Sequence, residues 1–221
     1  TILSALASAT LKDAPPPGYA EGKVSILVSL HPDGSVASVT DLRTTRGNKR
    51  VPVGMLVPHP VKRTAGIAPN FLWDKTAYAL GVTGGSRART ADEHAAFVAR
   101  HEEWLSDVED EGLRAFLAFL RGWSPERFCA PEWPTDAVDE NVVFCLESDR
   151  RADVRLHDRP ASRRVWSRLG NKGASAERVC LVTGARGPIA QLHPAIKGVR
   201  GGQTAGGSIV AFNHDAFESY G

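Results

Sequence analysis

The run from Lys23 to Leu30 alternates and is rich in strand formers, and Ser35 to Leu42 reads as its partner strand. Pro32, Asp33 and Gly34 stand between these runs, and Asp-Gly between two such runs predicts a β-hairpin. Val51 to Val57 reads as a third strand, so Arg43 to Arg50, with Gly47 and Asn48, is a basic loop joining strands. Phe71 to Leu80 reads as a short strand or extended segment, and Gly81 to Thr90 as a flexible loop. The period then changes. Phe97, His101, Trp104 and Val108 form one stripe of a helix from Asp92 to about Val108. Leu113, Phe116, Leu117 and Leu120 form another, on a helix from Asp110 to Trp123, and the two predict a helical hairpin with an acidic outer face. Asn141 to Glu147 is an apolar strand. Arg159 or Pro160 begins a basic helix to about Leu169, proline being suited to a first helical turn. Short strands follow at Arg178 to Thr183 and Pro188 to Leu192, and Asp215 is placed to cap a last helix. At the other end, Ile2 to Leu11 reads as a short amphipathic helix stopped by Pro15, Pro16, Pro17 and Gly18. The mixture is α+β: a mainly antiparallel sheet with a helical hairpin, residues 91–125, inserted in it.

Composition adds little to this. The chain has 221 residues, 42% hydrophobic and 24% charged, as in a globular protein with a real core. The net charge of +2 selects no partner, but its distribution is uneven. Leu42 to Trp73 contains no acid and six cations: Arg43, Arg46, Lys49, Arg50, Lys62 and Arg63. Asp92 to Asp149 carries fifteen acids against four arginines, and Arg150 to Arg200 twelve cations against three acids. Either the basic flanks build a surface for a polyanion, or they pair with the acidic middle within the fold. Cys129, Cys145 and Cys180 are far apart, and no CxxC is present, which argues against a cysteine zinc site. Their odd count suits a reducing compartment, and no signal peptide or membrane-length apolar run is evident. A cytoplasmic protein with no membrane partner is expected.

Seven histidines raise the question of catalysis. His94 and His101 share a helix face without HExxH spacing, and His157-Asp158 and His214-Asp215 are neighbours only in sequence. No G-x-S-x-G and no two-metal carboxylate cluster stands out. A non-enzymatic protein without cofactor or metal is expected.

Two stretches carry candidate binding chemistry. Residues 60–74 put Lys62, Arg63, Gly66, Pro69, Asn70, Phe71 and Trp73 close together. Pro69 restrains the chain before Asn70 and Gly66 permits a turn, so a stiff loop is expected. It would turn Lys62, Arg63 and Asn70 outward, the cations for phosphate and the amide for a base edge, with Phe71, Leu72 and Trp73 as partial anchors. The alternative is a structural loop in which Asn70 caps its own turn. The second stretch, residues 193–213, has five glycines between Gly198 and Gly207, flanked by Lys197 and Arg200. Glycines let backbone N–H groups approach an anion, although neither GxxxxGK[ST] nor GxGxxG is present.

Longer phrases add a family likeness. They are Pro-Pro-Pro-Gly-Tyr at 15–19, Lys-Arg-Thr-Ala-Gly-Ile-Ala-Pro-Asn-Phe-Leu-Trp-Asp at 62–74 and Leu-His-Asp-Arg-Pro-Ala at 156–161. Cys-Leu-Val-Thr-Gly follows at 180–184, Leu-His-Pro-Ala-Ile-Lys-Gly-Val-Arg-Gly at 192–201 and Ala-Phe-Glu-Ser-Tyr-Gly at 216–221. In this order they resemble the N-terminal part of the large subunit of the type I-C CRISPR interference complex, Cascade. Members of that family are longer, so the resemblance implies that residues 1–221 are an N-terminal domain. It implies a non-catalytic subunit near the 5′ end of the crRNA. Such a subunit recognises the protospacer-adjacent motif (PAM) in duplex DNA and helps open the duplex for a separate helicase-nuclease. Carried over, Lys62, Arg63, Lys197 and Arg200 would hold phosphates, Asn70 and Gln203 would read base edges, and Phe71 or Trp73 would wedge a base step or anchor the loop. Arg46, Lys49 and Arg50 add phosphate contacts from the basic loop. The implied partners are target double-stranded DNA, the crRNA-containing Cascade subunits and the helicase-nuclease, with a phage-encoded inhibitor left open. The alternative is a scaffold that docks neighbouring subunits and crRNA.

Overall fold

The computed structural model describes residues 16, 18–61, 63, 66–85, 88–171, 177–179 and 186–188. Residues 15–167 form one compact unit, and residues 1–14 with 168–221 form a second.

The first unit is built on a four-stranded sheet in the order β3 (Val36–Asp41), β2 (Ile26–Leu30), β8 (Asn141–Leu146), β7 (Trp73–Lys75). The outer pairings are antiparallel, but β2 and β8 run parallel, with Ile26 opposite Val142 and Leu30 opposite Leu146. All five residues of β2 are buried, as a central strand covered on both faces requires. One face, with Phe144, receives the helices; the other, with Leu27, Val143 and Cys145, is covered by a separate two-stranded ribbon. That ribbon pairs β1 (Tyr19–Val24) with β6 (Val53–Pro58) and contributes Val24 and Val57.

The run expected as one strand, Lys23 to Leu30, is therefore divided between two sheets. The division falls at Ser25, whose N–H donates to the Asn141 carbonyl while its own carbonyl accepts from Leu42 N–H. The run Val51 to Val57 is divided likewise, between β6 and a small ribbon of β4 (Thr44–Arg46) and β5 (Lys49–Val51). The Phe71 to Leu80 segment is a turn, then β7, then a short helix α1 (Thr76–Ala79).

The helical hairpin lies between β7 and β8 in the chain. Its helices are α2 (Thr90–Leu105) and α3 (Glu111–Gly122). Asp110 caps α3 by accepting the Leu113 N–H at 3.1 Å. The expected core is present: Phe97, Leu113, Phe116 and Leu120 are buried, and Trp104 is half-buried against the His101 ring. Phe97 meets Phe116 edge-on at 6.2 Å, and Phe116 meets Phe144 of the sheet at 4.8 Å. After α4 (Glu147–Arg150), helix α5 runs Pro160–Asn171 with proline first, as the sequence predicts. Among the described residues, β9 (Glu177–Val179) pairs antiparallel with β10 (Arg186–Pro188).

Candidate nucleic-acid interface

The loop from Pro58 to Asp74 is organised from its end inward. β7 places Asp74 fully inside the fold. Its Oδ2 accepts from the Arg63 guanidinium and from the Asn70 N–H at 2.9 Å, and its Oδ1 accepts from the Lys75 N–H at 2.8 Å. Burial pushes the Asp74 carboxyl up, against the opposing pull of Arg63 and the two N–H groups. Arg63 also donates from Nε to the Ala68 carbonyl at 2.7 Å and lies 4.0 Å from the centre of the Tyr78 ring. Asn70 is buried, and its Oδ1 accepts the Val61 N–H at 2.9 Å. Trp73 closes the loop by donating from Nε1 to the Pro58 carbonyl at 2.9 Å.

These contacts correct two expectations and bear out a third, that Phe71 and Trp73 anchor the loop. Asn70 does not face outward; its amide oxygen braces the loop backbone, as the turn-capping alternative has it. Arg63 remains an exposed residue, but its guanidinium is tied to the buried Asp74. Phe71 and Trp73 are buried anchors: Phe71 stacks between His101 and Trp166, with ring centres 6.0 and 5.4 Å away. Lys62 lies outside the described residues.

The next backbone step depends on a residue that the sequence placed only on a helix stripe. Leu72 adopts φ +63, the left-handed region that a branched side chain rarely enters. Its N–H donates to His101 Nε2 at 2.9 Å, while the other ring nitrogen, Nδ1, donates to the Phe97 carbonyl at 2.8 Å. The ring is thus neutral with its proton on Nδ1, and burial depresses its pKa to about 4. His157 is also buried; its Nε2 donates to the Leu56 carbonyl at 3.0 Å, and burial pushes its pKa down. The Tyr19 hydroxyl donates to the His157 carbonyl at 2.5 Å. These rings hold backbone in place. Among the described residues, no group of three His, Cys, Asp or Glu side chains is placed to hold a metal ion.

The basic loop Arg43 to Arg50 is the β4–β5 ribbon. Its register sets Thr44 opposite Val51, Thr45 opposite Arg50, and Arg46 opposite Lys49. Gly47 at the tip takes φ +58, as a two-residue turn with glycine in its first central position requires. At the base, Arg43 pairs with Asp41 at 2.6 Å and Asp136 at 2.8 Å, and its hydrogen bonds hold both carboxyls below their ordinary range. Arg50 reaches the same Asp41 at 2.8 Å. Arg46 and Lys49 are exposed, and among the described residues no acid pairs with either.

Basic flank and acidic middle do meet elsewhere. Arg159, at the start of α5, pairs with Asp110 at 2.9 Å and with Asp149. Lys197, Arg200 and Gln203 lie outside the described residues.

The family comparison agrees with the phrases that run through the chain. A family model matches residues 4–221, and its members are CRISPR-associated proteins. Within that class, the chain belongs to the Csd1 family. No curated protein sequence matches it at a significant level.

Proposed function

We propose that the protein is the large subunit of a type I-C Cascade, acting in the cytoplasm without catalysis of its own. In this reading it recognises the PAM in target duplex DNA and helps start the R-loop, while crRNA pairing reads the remaining sequence and a recruited helicase-nuclease cuts. Membership of the Csd1 family over residues 4–221 carries the proposal. The exposed, acid-free ribbon supports it by offering cations to a polyanion. Lys62, Lys197 and Arg200 are assigned to phosphates and Gln203 to a base edge, because an amide offers a donor and an acceptor together. Asn70 is reassigned from reading to bracing the loop that carries Lys62.

The test is target binding by the assembled complex on duplexes with and without a PAM. Gln203→Ala is expected to reduce discrimination by about 1–3 kcal/mol, the worth of one bidentate base contact. Equal affinity of the parent complex for both duplexes would defeat the functional reading; an unchanged ratio in the variant would defeat only the role of Gln203.

A further inference from the structure

We infer that the β4–β5 ribbon grips duplex DNA through one face only, Arg46 and Lys49 holding phosphates of one strand, while Arg50 braces the ribbon from the other face. The inference rests on the reading that this subunit engages target duplex.

The register separates the roles. Directly opposed residues of an antiparallel pair project to the same side with Cβ atoms about 4.5–5.5 Å apart, and successive residues alternate. Arg46 and Lys49 are directly opposed, so two cations stand side by side on one face. Like charges in that position destabilise a ribbon unless something neutralises them. Among the described residues no acid does so. Thr45 and Arg50 occupy the other face, and there Arg50 is already matched by Asp41 at 2.8 Å. One face has its acid; the other has none among the described residues.

The mounting fits the same division. The ribbon belongs to neither larger sheet, and an isolated two-stranded ribbon is marginal by itself. Asp41 holds its base through both Arg43 and Arg50. At the tip, a methyl group added to Gly47 would meet nothing within 4 Å, so the end projects into open space. A projecting two-stranded ribbon fits the B-form major groove, about 12 Å wide, whereas the deep, narrow major groove of A-form RNA does not admit side chains. Charges recur about every 3.4 Å of axis along each DNA strand, so neighbouring cations reach successive phosphates. A DNA duplex therefore fits better than an A-form RNA duplex.

The experiment uses the full-length protein assembled in its complex and a PAM-containing DNA duplex, with affinity measured from 50 to 200 mM salt. The Arg46→Ala/Lys49→Ala double variant is expected to lose about two units of salt slope, so that over this range the parent weakens about tenfold more than the variant. Arg50→Ala is expected to keep the parent slope, and the PAM to non-PAM ratio should survive in both. Parental slope in the double variant overturns the inference, as does an equal loss in Arg50→Ala. A double variant that assembles poorly with its neighbouring subunits, or loses guide RNA while keeping its duplex slope, overturns it in favour of another partner. Because slope and PAM ratio are separate readouts, failure here leaves the PAM reading standing.

Discussion

His101 makes one ring nitrogen a donor and the other an acceptor, both toward backbone. Protonation would set a second N–H against the Leu72 N–H, so the folded state resists it. Its folded pKa of about 4 lies below the ordinary histidine value of about 6.5. Between those values the unfolded chain binds a proton that the folded chain does not, so stability falls as pH drops through this window. The contribution is at most about 3 kcal/mol, and His157 acts in the same direction. Urea midpoints at pH 7.5 and pH 4.5 should differ clearly in the parent and less in His101→Phe, which should also lose about 1–3 kcal/mol at neutral pH by leaving the Leu72 N–H unpaired. Identical pH profiles for the two would refute this assignment. Asn70→Ala removes the acceptor of the Val61 N–H and should lower stability by about 1–3 kcal/mol while leaving the PAM to non-PAM ratio of the folded complex intact. A changed ratio at unchanged melting temperature would return Asn70 to the interface. Little of this was legible in the sequence. Residues 60–74 carry the turn-forming proline and glycine of a loop, but an amide serves a base edge or a backbone N–H equally well. Burial by distant elements decides which, and a left-handed leucine leaves no mark in the sequence.

At the scale of elements, the helical hairpin was the most legible part, because a 3.6-residue apolar period fixes which face is buried whatever covers it. The β2–β3 hairpin was legible from its Asp-Gly turn, and its docking was not. Gly34 takes φ +87 with its Cα against α3; an added Cβ would lie 2.6 Å from the Ala118 Cβ and 2.6 Å from the Phe119 nitrogen. Helix backbone cannot step aside as a flexible side chain can. Gly34→Ala should therefore cost about 2 kcal/mol or more, read as a fall in melting temperature, and a variant within experimental error of the parent would mean that the hairpin tip is not seated there. The β-rich run from Lys23 to Leu30 concealed a change of sheet at Ser25, since strand-forming residues continue without a turn signal and do not say which partner each half pairs with. The charge blocks were half legible. Arg43, Arg63 and Arg159 sit in ion pairs with acids, whereas Arg46 and Lys49 have none among the described residues, and composition alone cannot separate the two sets.

For the whole molecule, the parallel pairing of β2 with β8 sets an order of events during synthesis. Ser29 and Cys145, neighbours across that pairing at 3.3 Å, are 116 positions apart in the chain. At about 5–20 residues per second, β2 leaves the ribosome roughly 6–23 s before its partner can reach it. Through that interval β3 covers one edge of a strand that the finished fold buries along its whole length, and the other edge presents unpaired backbone groups that any second chain can extend. A chain ended at residue 140 should therefore sediment as aggregate, while the same chain extended through α5 should remain in the supernatant; a soluble, monomeric 1–140 would show that something other than β8 shields this edge. The sheet's central seam thus makes the nascent protein depend on the pace of its own translation, and slowing elongation between residues 30 and 146 should lower the soluble yield even where the finished fold is unchanged.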